Sequence, residues 1–282
     1  MNPIIKWAGG KRRFAEAIVS ILGTECNHYY EPFIGGAAVL LFMEVSNATC
    51  SDTNEELINL YNVIKYSPEE LIKELANNFV PFHCRDFFYH VRGLDRDRTK
   101  YNGLSIIQKA ARFMYLNKTC YNGLWRVNRR GQNNVPFGRY VNPPILTEDS
   151  IREASRYFNT CNINFEVADY AVIANRAQAG DIVYFDPPYD VEAGQSGFVE
   201  YTQDGFNRTN QRQLKAICDE LVERGVRVGI SNSNTQFIRD LYTEGSYDFY
   251  EVHADMTVKR TIGGTVESRR EMSELFILGT LQ

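Results

Sequence analysis

No run of about 18 apolar residues occurs anywhere in this chain of 282 residues, so no segment is long enough to cross a bilayer as a helix. The start, Met1-Asn2-Pro3-Ile4-Ile5-Lys6-Trp7, lacks the apolar core of a secretory signal, and the chain is expected to be cytoplasmic. Six cysteines (Cys26, Cys50, Cys84, Cys120, Cys161, Cys218) stand at wide intervals without a C-x-x-C pair, which argues against a zinc site and against a disulfide framework. The four histidines, His28, His83, His90 and His253, have no metal-ligand spacing, and no metal is expected. Internal repeats and low-complexity tracts are also missing. What remains is a globular composition, 44% hydrophobic, enough for one catalytic domain with an insertion or for two small domains.

Negative charge is missing from one window. Between Lys100 and Thr147 there is no Asp or Glu, while Lys100, Lys109, Arg112, Lys118, Arg126, Arg129, Arg130 and Arg139 bring +8. The net charge of the whole is -4, so the rest of the chain sums to -12. A solvated helix face mixes signs, whereas a segment that meets a phosphate backbone does not.

The pattern on either side of that window alternates helix and strand. A helix from about Lys11 to Leu22, a strand near Tyr29 to Phe33, the turn Ile34-Gly35-Gly36, an apolar helix to Glu44 and a short strand ending at Asp52 form a βαβ unit. From Asn54 to about His90 apolar residues recur at helical spacing, and another helix is predicted from Ser105 to Leu116. Thr119 to Tyr140, with the turn Arg130-Gly131-Gln132-Asn133-Asn134, reads as an exposed β-hairpin or long loop. After Pro143-Pro144 come a helix near Glu148 to Phe158, a strand at Asn162 to Val167, a short helix after Asp169 and a strand entering Asp186. Two further βα repeats are expected, with the helix Thr209 to Arg224, the strand Val226 to Ser231 and a last strand near Glu274 to Leu278. The fold class is therefore α/β: a doubly wound, mostly parallel sheet, with residues 1–54 and 146–282 forming one domain and 55–145 a mainly helical, basic insertion.

The most informative run is Asp186-Pro187-Pro188-Tyr189, delivered by the apolar stretch Ile182-Val183-Tyr184-Phe185. It sets a carboxylate, a stiff turn and an aromatic face at one strand end, which suits methylation of an exocyclic amine. The lone pair of such an amine is delocalised into its ring, and two hydrogen-bond acceptors localise it. Asp186 offers one and the Pro187 carbonyl the other, while the prolines fix φ and remove competing donors. Tyr189 can stack on the base. In doubly wound sheets ligands bind beyond the carboxyl ends of the strands, so the turn after Phe33, Asp52, Asp169 and Asp186 should converge. Gly35-Gly36 would let backbone approach a ligand, although Phe33-Ile34-Gly35-Gly36 lacks the three-glycine dinucleotide fingerprint.

Taken together, the motifs resemble those of the Dam-type DNA adenine-N6 methyltransferases, including their Dpn-like restriction-modification members. The resemblance rests on Lys6-Trp7-Ala8-Gly9-Gly10-Lys11, Glu31-Pro32-Phe33-Ile34-Gly35-Gly36, Asp52 with Asn54-Glu55-Glu56-Leu57-Ile58-Asn59, and Tyr121-Asn122-Gly123-Leu124-Trp125-Arg126-Val127-Asn128. Asn134-Val135-Pro136-Phe137-Gly138-Arg139-Tyr140, Asp186-Pro187-Pro188-Tyr189 and Ser231-Asn232-Ser233 complete it, in an order that places target recognition between the cofactor and catalytic motifs.

That resemblance implies S-adenosylmethionine as methyl donor, held by Trp7, Ala8, Gly10, Lys11, Phe33 and Gly35, with Asp52 on the ribose hydroxyls and Asp169 with the Tyr170 backbone on the adenine. Asp186 would border both cofactor and target. It implies double-stranded DNA as partner, with the adenine flipped out of the duplex and 5′-GATC-3′ as the site. Tyr121 resembles the intercalating aromatic, followed by a flexible Asn122-Gly123. Arg126 would read a guanine edge, Leu124 and Pro136 a thymine methyl, and Lys6 the first guanine, with Asn128, Asn134 and Arg139 on phosphates. Two departures, Asn133 in place of an aromatic residue and the bulky Trp125, leave hairpin packing and strictness of site preference open. Cytosine-N4 or RNA methylation, and a DNA-binding regulator on an inactive methyltransferase fold, are the rival readings. One chain carries all the parts, so a monomer is expected, with a cognate restriction endonuclease as an open possibility.

Overall fold

The computed structural model describes residues 1–191, 206–243, 249–258 and 272–281. In chain order its elements are α1 (Ala15–Leu22), β1 (Tyr29–Pro32), α2 (Ala38–Met43), β2 (Ala48–Asp52), α3 (Glu55–Tyr66), α4 (Pro68–Asn78), α5 (Arg85–Gly93) and α6 (Arg98–Asn102). There follow α7 (Ile106–Thr119), α8 (Glu148–Thr160), β3 (Ile163–Val167), α9 (Tyr170–Ala174), β4 (Ile182–Phe185), α10 (Arg208–Glu223), β5 (Arg227–Ser233), α11 (Gln236–Thr243), β6 (Tyr250–Val258) and β7 (Met272–Gly279).

Helix starts follow their capping chemistry. The Asn54 side chain accepts from the backbone N–H groups of Glu56 and Leu57 and opens α3, with Glu55 and Glu56 in the first turn. Pro68 opens α4 at a position where its missing N–H costs nothing. Ser105 and Gln108 close a capping box on α7, and Asn207 with Asn210 closes another on α10. The helix expected from Lys11 is broken at its start, where a 3-10 turn over Lys11–Arg13 precedes α1.

The strands form one sheet in the order β3-β2-β1-β4-β5-β7-β6. β1 pairs in parallel with β2 and β4, and β4 pairs in parallel with β5. This is the mostly parallel, Rossmann-like sheet expected from the alternation of helix and strand. Its far edge departs from the expected run of βα repeats: β7 lies antiparallel between β5 and β6. Antiparallel neighbours, unlike parallel ones, do not require a crossover connection.

The chain divides into two compact units. One comprises Met1–Arg12, Gly35–Ser46 and Asp52–Val167, the other Arg13–Ile34, Asn47–Ser51 and Ala168–Gln282. The first is built around α3 and α7, whose inward faces bury Leu57, Leu60, Tyr61, Ile64, Phe113, Met114 and Tyr115. The second has a core of strand and helix residues including Val183, Phe185, Val228, Ile230, Leu214, Leu221 and Ile277. Every residue of β4 is buried, as the continuous apolar run Ile182-Val183-Tyr184-Phe185 requires of a central parallel strand.

The segment from Thr119 to Tyr140 has hairpin topology without a continuous ladder. Its two limbs meet at isolated antiparallel bridges, Cys120 with Phe137 and Val127 with Asn133. The tip is closed by Asn128, whose Oδ1 accepts from the N–H groups of Arg130 and Gln132.

Candidate functional site

In the second unit β4 carries the chain from a dry core directly into Asp186, which is half-buried, and the turn behind it is held from three sides. The Pro188 carbonyl accepts from Gln211 Nε2 at 2.9 Å, and Gln211 Oε1 in turn accepts from Asn232 Nδ2 at 3.0 Å. Asn232 Oδ1 accepts from the Asp190 N–H, and Ser233 Oγ donates to the Asp190 carbonyl. The Asp190 carboxylate receives Arg208 through Nε and Nη2, at 2.9 and 3.1 Å, and Thr235 Oγ1 at 2.8 Å. Thus α10, the end of β5 and the start of α11 together hold residues 188–190. A proline pair limits the remaining freedom of the turn.

Tyr189 donates its phenol proton to Glu274 Oε2 on β7 at 2.9 Å. Burial, with the Asp186 and Glu274 carboxylates nearby, pushes the phenol well above its usual range, so it stays protonated and uncharged. Beneath it Tyr184 shares a 2.7 Å hydrogen bond with Ser231. Asp186 and Tyr189 were legible in the sequence; Glu274 as a partner was not, since no local pattern links residues so far apart in the chain.

The same unit brings Phe33, Tyr170 and Phe206 together. The Phe33 and Tyr170 rings stack at 5.2 Å, and Phe206 meets both, edge-on to Phe33 at 5.8 Å and at 5.7 Å from Tyr170. Phe33 has a φ of 85°, a left-handed conformation that a residue with a bulky side chain rarely adopts and that tends to occur at functional sites. Asp169 caps α9 by accepting from the Ala171 N–H at 2.9 Å, which places Tyr170 at the first position of the helix. Phe206 carried no signal in the sequence.

In the first unit Trp7, Gly35, Gly36 and Asp52 are brought together. Gly35 has a φ of +44°, and an added Cβ would lie 2.6 Å from Trp7 Cδ1; at Gly36 it would lie 3.0 Å from Trp7 Cβ. The glycine pair therefore admits the indole of Trp7, a closer reason for its residue type than the approach of a ligand to backbone. The Gly35 N–H donates to Asp52 Oδ2 at 3.3 Å and the Asn54 N–H to Oδ1 at 3.0 Å. Burial raises the Asp52 carboxyl while these backbone donors oppose the shift. The Thr53 backbone is a third donor, and a carboxylate has about four lone-pair positions, so acceptor capacity for a further hydroxyl remains. Gly10 closes a turn onto the Trp7 carbonyl at 3.1 Å, Ala8 is exposed on it, and Lys11, itself buried, bonds the Gly9 carbonyl through Nζ at 2.6 Å.

The first unit also brings Lys6 onto the hairpin. Gly123, with a φ of +64°, has no room for a Cβ because the Lys6 side chain lies on it. Asn117 holds the two strands of chain together: its Oδ1 accepts from the Lys6 N–H at 3.0 Å, and its Nδ2 donates to the carbonyls of Lys6 and Gly123. Lys6 Nζ sits 4.3 Å from the centre of the Tyr140 ring, whose hydroxyl accepts from the Asn122 N–H. Tyr121 is exposed, and Asn122 and Arg139 both have positive φ. Leu124 is half-buried, Pro136 exposed, and Trp125 packs on Phe113 with ring centres 4.1 Å apart.

Asn128 and Asn134 have intramolecular tasks. Asn128 closes the turn, and Asn134 Oδ1 accepts from Arg126 Nε at 2.7 Å. Two of the eight cations in the basic window do not reach solvent. Arg112 is fully buried in ion pairs with Glu56 and Asp95, and Lys118 is buried with its ammonium lowered to about 8 by desolvation and by Lys6. The count of +8 thus overstates the charge this segment can present. A sequence window cannot tell which side of a helix an arginine faces.

Among the described residues no group of His, Cys, Asp and Glu could hold a metal ion, and no helix is long and apolar enough to cross a membrane.

Comparison with known proteins adds four findings. A model of the D12 class N6 adenine-specific DNA methyltransferases matches residues 7–258. The chain is 36% identical over 277 residues to the type II methyltransferase M1.LlaDCHI of Lactococcus lactis subsp. cremoris, covering 98% of this chain and 95% of the relative. It is 37% identical over 258 residues to the type II methyltransferase M.MjaIII of Methanocaldococcus jannaschii, covering 86% and 88%, and 33% identical over 277 residues to the DNA adenine methylase of Escherichia coli K12, covering 97% and 94%.

Proposed function

The chain belongs to the D12 class of N6 adenine-specific DNA methyltransferases, and from that premise we propose that it methylates the adenine of 5′-GATC-3′ in duplex DNA after flipping that base out of the helix. The observation that carries the chemistry is the turn after β4: a half-buried Asp186 and Tyr189 on a backbone held by Gln211, Asn232 and Ser233. Such rigidity is what placing an acceptor pair around an amine requires. Asp186 and the Pro187 carbonyl accept hydrogen bonds from the amine and localise the nitrogen lone pair while Tyr189 stacks on the ring. As the N–C bond forms the methyl–sulfur bond breaks, and one amine proton leaves during or after the transfer. Flipping costs a few kcal/mol, offset by that stacking and those hydrogen bonds. No covalent enzyme intermediate is needed.

We assign S-adenosylmethionine as the methyl donor. When bound it supplies an electrophilic methyl group. The residues assigned to it are Trp7, Ala8, Gly10, Lys11, Phe33, Gly35, Asp52, Asp169, Tyr170 and Asp186. What supports the assignment is the Asp52 carboxylate as an acceptor for a ribose hydroxyl and the Phe33, Tyr170 and Phe206 rings as an aromatic seat for an adenine.

Residues 55–145 are assigned to target recognition, and 1–54 with 146–282 to catalysis. Lys6, Tyr121, Asn122, Leu124, Arg126, Asn128, Asn134, Pro136 and Arg139 form the DNA-reading set, and the seating of Lys6 on Gly123 supports treating them as one surface. Two relatives bear the name type II methyltransferase, which supports a cognate endonuclease; a monomer is the expected state.

Methyl transfer from labelled S-adenosylmethionine to otherwise identical duplexes, one with a single GATC and one with GTAC, tests the reading. Methyladenine confined to GATC is the expected result. Equal methylation of both discards the site while keeping the chemistry.

A further inference from the structure

The hairpin that carries Arg126 is joined by only two isolated bridges, and a two-stranded hairpin is marginally stable by itself. Its returning limb is instead gripped by charged side chains from the corner after α5. Asp95 Oδ2 accepts from the Asn133 N–H at 2.7 Å, Arg96 Nη2 donates to the Asn133 carbonyl, and Arg92 Nη1 donates to the Val135 carbonyl at 2.9 Å. The grip falls on both sides of Asn134. That residue's Oδ1 accepts from Arg126 Nε at 2.7 Å, and its N–H donates to the Arg126 carbonyl at 3.1 Å.

The corner is itself anchored. The fully buried Arg112 donates to the carbonyls of Val91 and Arg92 and pairs with Asp95 Oδ2 at 2.7 Å and Glu56 Oε2 at 3.0 Å. Asn133, which stands where the family resemblance leads one to expect an aromatic, is buried, and its Oδ1 accepts from the Val135 N–H at 3.2 Å. A compact side chain at this position lets the main chain come down onto Asp95 and Arg96.

We propose that Asp95 and Arg96 are positioning residues for Arg126, and so set the site preference of the enzyme without touching a base. This rests on the reading that Arg126 contacts a base edge. A bidentate guanidinium contact discriminates only while the fork is held in register, so loosening the limb beneath Asn134 degrades selectivity before it degrades chemistry.

The test compares the wild type, Arg96→Ala, Arg96→Lys, Asp95→Asn, Arg126→Ala and the double variant R96A/R126A. Methyl transfer is measured on GATC duplexes with each position of the site changed in turn, together with separate KM values for DNA and for S-adenosylmethionine. Because the Arg96 side chain is about one-third exposed, its truncation leaves no large cavity, and a melting temperature checks the fold.

Arg96→Ala should lower the preference for the best site by about tenfold and raise KM for DNA, with KM for S-adenosylmethionine unmoved. Arg96→Lys should recover part of the loss, Asp95→Asn should share it, and the double variant should be no less selective than Arg126→Ala alone. A purely structural role would lower turnover on every duplex equally and leave the ratio intact. Wild-type selectivity in Arg96→Ala and Asp95→Asn, with selectivity lost in Arg126→Ala, overturns the proposal and leaves the recognition reading standing. Unchanged selectivity in Arg126→Ala removes both.

Discussion

Tyr189 reaches across to β7 and donates its phenol proton to Glu274 at 2.9 Å, so the ring assigned to the target base is oriented by a carboxylate far away in the chain. Removing the hydroxyl keeps the stacking face but releases that orientation and leaves a partly buried acceptor short of a donor. Tyr189→Phe should cost about 1–2 kcal/mol in methyl transfer, or roughly five- to thirtyfold. Tyr189→Ala should lose more, because base stacking on an aromatic contributes about 1–3 kcal/mol. If the two residues act as a pair, adding Glu274→Gln to the phenylalanine variant changes little further. Additive losses in that double-mutant cycle would show two separate roles.

The phenol also makes a statement about pH. Burial, Asp186 and Glu274 all hold its proton on, well above the usual range. Any basic limb in the activity profile therefore belongs to another group, and wild type and Tyr189→Phe should share that limb up to about pH 10. A limb that disappears in the variant contradicts this.

Gly35 and Trp7 yield a prediction confined to the cofactor. A Cβ at position 35 meets the indole at 2.6 Å on a backbone with φ of +44°. Gly35→Ala must displace Trp7, disturb the turn that donates to Asp52, or both. The expected outcome is a KM for S-adenosylmethionine raised by about tenfold or more, corresponding to one or two kcal/mol of backbone strain, with KM for DNA little changed. Equal effects on both substrates would detach this turn from the cofactor.

Lys118 tests the electrostatics of the first unit. Its ammonium is lowered from 10.5 to about 8, chiefly by desolvation and secondarily by Lys6. Between those values the unfolded chain holds a proton that the folded chain does not, so this residue's contribution to stability rises with pH across that window. Other groups contribute linkage there too, among them Cys120, whose thiol ionises near 9.0 in the unfolded chain and is pushed up to about 12 by burial, so the informative quantity is a difference. Lys118→Met should be more stable than wild type at pH 7 by up to about 3 kcal/mol, and the gap should close toward pH 10.5. A gap that stays constant with pH would mean the lysine is solvated.

How much of this was legible beforehand varied with the range of the interaction. The buried strand ending in Asp186 shows in sequence because four consecutive apolar residues and two prolines are local signals. The capping box of α7 at Ser105 and Gln108 is local too. The antiparallel placement of β7 between β5 and β6 is not, since register between strands leaves no mark in a one-dimensional pattern. The same holds for Asn117, which ties Lys6 to Gly123, and for Asp95 beneath Asn133. Phe206 joins Phe33 and Tyr170 through tertiary packing alone. Local chemistry announced the reactive groups; the residues that aim them emerged only from the fold.

The basic window supplies the last prediction, because its cations separate into two populations. Arg130 is exposed on the hairpin tip, whereas Arg112 is fully buried between Glu56 and Asp95. An exposed cation that neutralises a phosphate releases a counterion on binding, so Arg130→Ala should weaken DNA binding alike on every sequence. It should also reduce the slope of log K against log salt by about one, with the melting temperature unchanged. Arg112→Met should behave in the opposite way, because it removes a fully buried guanidinium that two carboxylates and two backbone carbonyls share. A loss of about 3–5 kcal/mol in stability is expected, with the salt slope of whatever protein remains folded left as in wild type. Binding titrations at four salt concentrations, run beside thermal melts, separate the two. A slope that falls with Arg112→Met would return that residue to the DNA-facing set and leave Lys118 as the one buried cation of the window.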